Sequence, residues 1–547
     1  MKQIILLCLV CSFSFGKIFA QCTEVNEPKV LLVGDSWAWF MNTDGTFNTV
    51  FKTWGHSNYK YICNSTLAVN GAQTDDVIKP ASEAEILNQL TLNPSIEVVH
   101  LSIGGNDFLG GWDTTFTQAQ TDTLAVQVFG RMDSIIRFIK QCKPGIKILW
   151  SGYCYTDFKE VITNFIAPTS HPFYSTWSGM KFPNFAQINT LQNYFSLQME
   201  NYCATHSDVY YVNANSLMQY EYGQTSALQG GLSPTGTYAA HTATIPVGHV
   251  DFPSPVGSMR DYGITKDCFH LSPEAYRYLI GYHTQKFYQK LLMDDLYLLS
   301  DNSTQTGSVS STGNISASPY IGEASGEQFA TVLSFNTTSM ADTTLQKASI
   351  FLRRESLTGT NPVSANNFQV KIKSGNFGTT VNIEAADFTA ADDANASACN
   401  FGSFANDGDW VRIDLPVSIL THINHNATTQ FIITAPNATG GKVKYSDASN
   451  PDFAPVLNLK YGQTPSAVNE ISSMVFNIYP NPTTGLLTVE SGTEVITNLE
   501  VTNLLGEVVL HPKITQNTIN ISSLSTGMYL LNITTKNGRT SKRIVKN

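Results

Sequence analysis

Three things are scarce in this chain of 547 residues, and each closes off a class of function. Basic charge is short: 33 Lys and Arg stand against 43 Asp and Glu, a formal net charge of −10. Nucleic-acid binders need a basic surface to neutralise phosphates, so that class is disfavoured and an aqueous, non-polyanionic setting is favoured. Long apolar runs are also missing beyond the N-terminus, where nothing approaches the roughly 20 residues needed to cross a bilayer, and no membrane span is expected. Cysteines at CxxC spacing are absent after residue 20, which speaks against a zinc knuckle. What is present is length: too much for one compact core, so two to four domains are expected.

The first residues, MKQIILLCLVCSFSFGKIFAQ, combine a positive start at Lys2, an apolar stretch from Ile4 to Phe15 and a cleavage zone at Phe19-Ala20-Gln21. That is the pattern of a secretory signal peptide over 1–20, too short for a membrane helix. Gln21, not a small residue, precedes Cys22, which weakens a lipoprotein reading. Of nine cysteines, Cys8 and Cys11 leave with the signal and seven remain: Cys22, Cys63, Cys142, Cys154, Cys203, Cys268 and Cys399. An exported chain can pair six of them, with connectivity open.

Residues 21–300 alternate short apolar runs with amphipathic ones. Strands are expected at 29–34, 59–69, 97–104, 146–152 and 208–213, and helices at 119–141, 185–203 and 273–292. Strands separated by helical patterns predict an α/β domain, a parallel sheet with helices on both faces and ligands at the carboxyl ends of the strands. Residues 301–320, DNSTQTGSVSSTGNISASPY, have linker composition. From 321 to 462 short strands divided by turn residues predict an all-β sandwich or jelly roll. A second linker, 463–471, leads to another β-rich unit, 472–547.

In KVLLVGDSWAWF an apolar strand breaks at Gly34-Asp35-Ser36 before a helix start. Such a triplet is often only a turn, but a strand–turn–helix corner also exposes a serine hydroxyl beside a helix N-terminus. Serine needs a base to become a nucleophile, and KDCFHLSPEAYRYLI offers His270 with Asp267 three residues before it. Ser272-Pro273 then reads as an N-cap and first helical position that fixes the loop. A carboxylate there can hold the imidazole in one tautomer. An oxyanion also needs donors. LAVNGAQTDDV places Gly71 where a backbone N–H can approach closely, and HLSIGGNDFLGG places the Asn106 amide at a third strand end.

Together Ser36 in GDS, Gly71, Asn106 in GGND and the Asp267/His270 pair resemble, in order, the four blocks of the SGNH hydrolases, the GDSL-type esterases and lipases. The resemblance implies a flavodoxin-like three-layer α/β/α fold and an ester hydrolase working without metal or cofactor. It implies Ser36 as nucleophile, His270 as base and Asp267 as its orienter. The Ser36 and Gly71 N–H groups with the Asn106 side chain would form the oxyanion hole. Trp37 stands where the family's commonest motif has leucine, so the motif alone does not set the substrate.

The segment from about 155 to 265 carries many aromatics; with Tyr153 they include Tyr155, Phe173, Tyr174, Trp177, Phe182, Tyr220 and Tyr222. It is expected to form substrate wall or a surface elaboration with its own small core. His241, His249 and Asp251 match no standard ligand spacing, so no metal is assigned there. The middle unit resembles the DNRLRE-type jelly rolls appended to secreted carbohydrate-active enzymes, with Trp410 and Tyr445 as candidate sugar platforms and a spacer role equally open. The last unit, with YPNPTTG, LLGEVV, LSTGMYLLNI and a terminal KRIVKN, resembles the C-terminal sorting domain of the type IX secretion system of Bacteroidetes. That implies the type IX secretion machinery as partner and release or attachment at the outer cell surface. In that setting the sequons at Asn302 and Asn314 are no sign of eukaryotic glycosylation. The sequence therefore predicts a secreted serine esterase acting on short acyl esters, acetyl foremost, of a polysaccharide or glycoconjugate. A secreted lipase or phospholipase, with a lipid ester as substrate, and a non-catalytic surface carbohydrate-binding protein are the alternatives.

Overall fold

A computed structural model describes residues 22, 24–228, 232–341, 344–364, 368–462, 476–490, 496–503, 508–514, 517–535 and 538–547. The signal peptide expected over 1–20 and the second linker over 463–471 lie outside the described residues. Two compact units result, residues 1–462 and 463–547.

The first unit is built on five parallel strands: β1 (Glu27–Gly34), β2 (Tyr59–Ile62), β3 (Val98–Ser102), β4 (Lys147–Ser151) and β5 (Val209–Val212). Their order, β2-β1-β3-β4-β5, is the flavodoxin-like one. Val30, Leu31, Leu32 and Val33 are all buried because both faces of β1 are covered. Val30 and Leu32 pack with the helices Ser36–Thr43, Thr46–Thr53 and Pro273–His283. Leu31 and Val33 face the opposite layer, with Pro80–Leu92, Gln118–Cys142 and Phe185–Ala204. The caps are local: Thr117 with Gln120 and Asn184 with Gln187 form capping boxes, and Ser272 caps a helix that opens on Pro273.

One element ends early and another changes its winding partway. The run expected as a strand over 59–69 is a strand only through Ile62 and returns to the sheet as a single bridge from Ala68 to Gly34. Asn64 Oδ1 then accepts from the Thr66 and Leu67 N–H groups at 2.9 and 3.1 Å, turning the chain. The helix expected over 273–292 runs from Pro273 to Leu291, with a π-helical turn at Thr284–Tyr288 between its α-helical parts Pro273–His283 and Gln289–Leu291.

The segment 301–320 is not a linker. Gly307–Ser310 is a strand buried along its length and paired with Glu327–Asn336, and Ile315–Ser316 pairs back onto it. Its small residues serve close approach: a Cβ on Gly307 would lie 2.1 Å from the Ser316 carbonyl oxygen. The boundary at 300 also shifts, since Leu296–Leu299 pairs with Val456–Tyr461 and joins the β-sandwich. Trp410 and Tyr445, expected as sugar platforms, are 1% and 2% exposed and belong to the core. Of the seven cysteines, Cys22 and Cys399 form a disulfide, while Cys63, Cys142, Cys154, Cys203 and Cys268 are free thiols.

Among its described residues the second unit is all-β, with a three-stranded and a four-stranded antiparallel sheet around Leu487, Val501, Ile519, Leu531 and Ile533. No helix among the described residues is long and apolar enough to cross a membrane.

Candidate active site

The turn after β1 depends on Gly34, whose added Cβ would stand 2.0 Å from the Ser102 carbonyl oxygen of β3. Only glycine lets β1 lie this close to its neighbour as the chain turns out of the sheet. Asp35 then caps the helix Ser36–Thr43, its Oδ1 accepting from Trp37 N–H at 2.9 Å, which fixes Ser36 at the first helical position.

Residues 234 apart in sequence meet there. Ser36 Oγ lies 2.7 Å from His270 Nε2, and His270 Nδ1 lies 2.8 Å from Asp267 Oδ2. A carboxylate only accepts, so Nδ1 carries the ring proton and Nε2 is left to accept from the serine hydroxyl. Asp267 is itself held: its Oδ1 accepts from the N–H groups of Phe269 and His270, both at 2.9 Å, and Tyr262 O–H donates to Oδ2 at 3.3 Å. Burial works to raise the Asp267 carboxyl, but the bonds from the His270 ring and the two backbone N–H groups outweigh it and hold it below the usual value. The group therefore stays ionised and able to stabilise a charged imidazole.

Gly71 and Asn106 line the same open cleft as Ser36 and His270, a space of about 760 Å³. Gly71 has φ +78°, which suits glycine. The Asn106 amide donates to the Ala72 carbonyl at 2.9 Å, which orients it and leaves its other N–H for a ligand. Thus the structure gathers all five sequence-predicted residues at one place, on the loops after β1, β2 and β3 and on Lys266–Leu271. Phe40, Trp112, Phe173 and Tyr262 give the cleft an aromatic rim. Of the aromatics expected to wall the site, Phe173 does so from the outside, and the Tyr153 hydroxyl bonds Asp35 Oδ2 at 2.5 Å from behind. Trp177 and Tyr155 are buried in packing. His241 packs on Tyr220, and His249 on Tyr238 and Phe252. Among the described residues no group of three or more His, Cys, Asp or Glu is placed to hold a metal.

Sequence reasoning missed the supports of this site. Asp107, 3% exposed, accepts from Thr74 N–H at 3.0 Å, Thr74 Oγ1 at 2.7 Å and Arg131 at 2.8 Å, tying the Gly71 loop to the Asn106 loop. The signal was the Asp closing GGND. Arg260 pairs with Asp44 and lies over the Phe40 ring at 3.9 Å, and Phe40 in turn packs 4.8 Å from the His270 ring. Asp35 is fully buried; burial pushes its carboxyl up to about 7 against the bonds from Tyr153 and Trp37.

Comparison with known proteins gives two family matches: the GDSL-like Lipase/Acylhydrolase family over residues 32–278 and the Secretion system C-terminal sorting domain over 477–547. Among curated proteins none matches significantly. Similar solved structures include a GDSL-like lipase from Bacteroides thetaiotaomicron, 14% identical, TM-score 0.26, covering 48% of this chain and 88% of that one. A carbohydrate esterase family 3 protein from Talaromyces cellulolyticus is 12% identical, TM-score 0.25, with 48% and 98% covered. An extracellular lipase from Streptomyces rimosus is 15% identical, TM-score 0.25, with 47% and 97% covered. The chain thus carries a domain of the GDSL-like lipase/acylhydrolase family and a type IX sorting domain: it is an ester hydrolase exported to the cell surface or the extracellular space.

Proposed function

We propose that this hydrolase is a serine esterase that removes short acyl groups, acetyl foremost, from a polysaccharide or glycoconjugate through Ser36, His270 and Asp267. The observation that carries the reading is the unbroken hydrogen-bonded line from Asp267 through His270 to Ser36, ending in an open cleft. Ser36 Oγ attacks the ester carbonyl carbon as His270 Nε2 takes its proton, and Asp267 stabilises the imidazolium. The negative charge on the carbonyl oxygen is met by the Ser36 and Gly71 N–H groups and the Asn106 amide. Collapse of the tetrahedral intermediate releases the alcohol, protonated by His270, and leaves an acyl-Ser36 ester. Water, deprotonated by the same imidazole, then hydrolyses that ester. The size of the cleft, about 760 Å³, and its aromatic rim support a bulky leaving alcohol such as a sugar hydroxyl. No residue of the mechanism calls for a metal or cofactor.

The test is Ser36→Ala in the full chain. Turnover of p-nitrophenyl acetate should fall by at least about 10⁴-fold with the far-UV circular dichroism unchanged; retained turnover would remove Ser36 from the chemistry. Release of acetate from acetylated xylan, measured beside it, tests the sugar half. Hydrolysis of the nitrophenyl ester without any release from acetylated polysaccharides would leave the triad standing and sink the carbohydrate assignment.

A further inference from the structure

Behind Ser36 lies a second, smaller cavity of about 60 Å³. It shares Ser36, Asn106, Leu109 and Phe269 with the outer cleft, so the two spaces meet at the serine. His270 lines the outer space and is not among the residues lining the inner one. This asymmetry fixes direction. The leaving alcohol must receive its proton from His270 Nε2, so it departs on the outer side. The acyl tail, on the other side of the reacting carbon, is then directed inward.

The inner space suits a short alkyl tail. Its walls include Phe108, Leu191, Phe195 and Met199, all buried and apolar. A water needs at least about 10–15 Å³ on this measure, so the space of about 60 Å³ holds at most about six tail atoms. Acetyl has one carbon beyond the carbonyl, butanoyl three, hexanoyl five and octanoyl seven. The lining not shared with the outer cleft also includes a hydrogen-bonded polar chain. Tyr211 O–H donates to Ser196 Oγ at 2.9 Å, and Ser196 O–H donates to Asn215 Oδ1 at 3.1 Å. A longer chain would have to break these bonds and bury their atoms against methylene groups, which is costly.

We infer that this inner cavity is the acyl site and that it limits the substrate to acyl groups of about six carbons, with Leu191 and Phe195 setting the limit. The inference rests on the serine-esterase reading above and adds the acyl ceiling to it. It separates a short-chain esterase from a lipase on the basis of the space behind the serine.

The experiment compares kcat/KM of the full chain on p-nitrophenyl acetate, butanoate, hexanoate, octanoate and palmitate. Octanoate should fall at least tenfold below butanoate, with no measurable palmitate turnover. Phe195→Ala lengthens the space and should raise the octanoate-to-butanoate ratio about tenfold, the scale of two buried methylenes. Leu191→Trp fills it and should lower the hexanoate-to-acetate ratio at least tenfold. Since a tryptophan there can prevent folding, Phe195→Ala tests the same wall in the opposite direction, and the wild-type profile needs no variant. Wild-type preference for octanoate or palmitate overturns the inference, as do unmoved ratios in folded, active variants. Turnover that survives Ser36→Ala would instead overturn the esterase reading, so the two failures are distinguishable.

Discussion

Two buried polar networks in the first unit contain similar side chains and are built in opposite ways. At the seam between hydrolase and β-sandwich, Arg412 is 4% exposed and its guanidinium is met on every side. It bonds Asp414 at 2.8 Å, Glu24 at 2.6 Å, the Gly55 carbonyl at 3.1 Å and Asn58 at 2.7 Å. Trp54 stacks on Trp410 alongside, and Asn458 bonds Asp294 across the same seam at 2.8 Å. At the turn after β1, by contrast, the buried carboxyl of Asp35 receives hydrogen bonds from Tyr153 and Trp37, neither of them cationic. Ser36 and His270 stand beside it facing a cleft. Saturated charge holds two parts of a chain together; chemistry needs groups whose last partner is still to come. The sandwich is accordingly bound to the hydrolase through charge, ring stacking, strand pairing and the Cys22–Cys399 disulfide.

The sharpest way to test that contrast is a substitution that changes catalysis alone. Asp267→Asn keeps the Oδ1 that accepts from Phe269 and His270 N–H, so the loop has its anchors. It replaces Oδ2 with a group that cannot accept from the imidazole, which favours the wrong tautomer. The expected loss in kcat is on the order of 10⁴, with native circular dichroism. A loss under tenfold would mean that the carboxylate only shapes the loop.

That half of the comparison was legible in the sequence because its parts are local. Gly34-Asp35-Ser36 sits where a continuous apolar run stops, and Asp267 and His270 are three residues apart in front of a Ser-Pro helix start. The seam was not legible. Arg412 meets residues more than 350 positions away, and nothing in its own neighbourhood, Trp410 to Asp414, distinguishes it from any strand arginine. Composition misled in the same region. The Ser/Thr/Gly-rich stretch near Ser308 looks like a flexible tether, yet small polar residues were needed there so that strands could approach. Trp410 invited a sugar-platform reading because sequence gives the identity of an aromatic and not its burial. The run after Ile62 was apolar enough for a strand until Asn64 turned it. The inner cavity was invisible for a related reason, since its walls come from separate segments that only the fold brings together.

The reverse substitution acts on stability and spares the chemistry. Arg412→Ala leaves Glu24 and Asp414 without their shared cation and opens the contact to Gly55 and Asn58. Breaking a buried ion pair by removing one partner costs about 3–5 kcal/mol. The midpoint of urea unfolding of the full chain should drop accordingly, while kcat/KM on a short-chain ester below the transition stays within about twofold. An unchanged midpoint would mean that the sandwich and hydrolase are held by the disulfide and packing alone. A large loss of turnover in the folded variant would instead connect the seam to the cleft.

The smallest expected effect bears on Asp35 itself. Its folded-state carboxyl is raised to about 7, chiefly by burial, whereas an unfolded aspartate titrates near 3.8. Between those values the folded chain holds a proton that the unfolded chain has released, so this group's contribution to stability declines as pH rises from about 4 to 7 and is constant above. Asp35→Asn is neutral throughout, and its Oδ1 can still accept from Trp37 N–H. The stability of the variant relative to wild type should therefore increase by about 1 kcal/mol per pH unit between pH 5.5 and 6.5, then level off above pH 7.5. Thermal unfolding at those pH values gives the difference directly. A difference that does not vary with pH would place Asp35 among the compensated charges, like Glu24 and Asp414, and the contrast between seam and site would then rest on Ser36 and His270 alone.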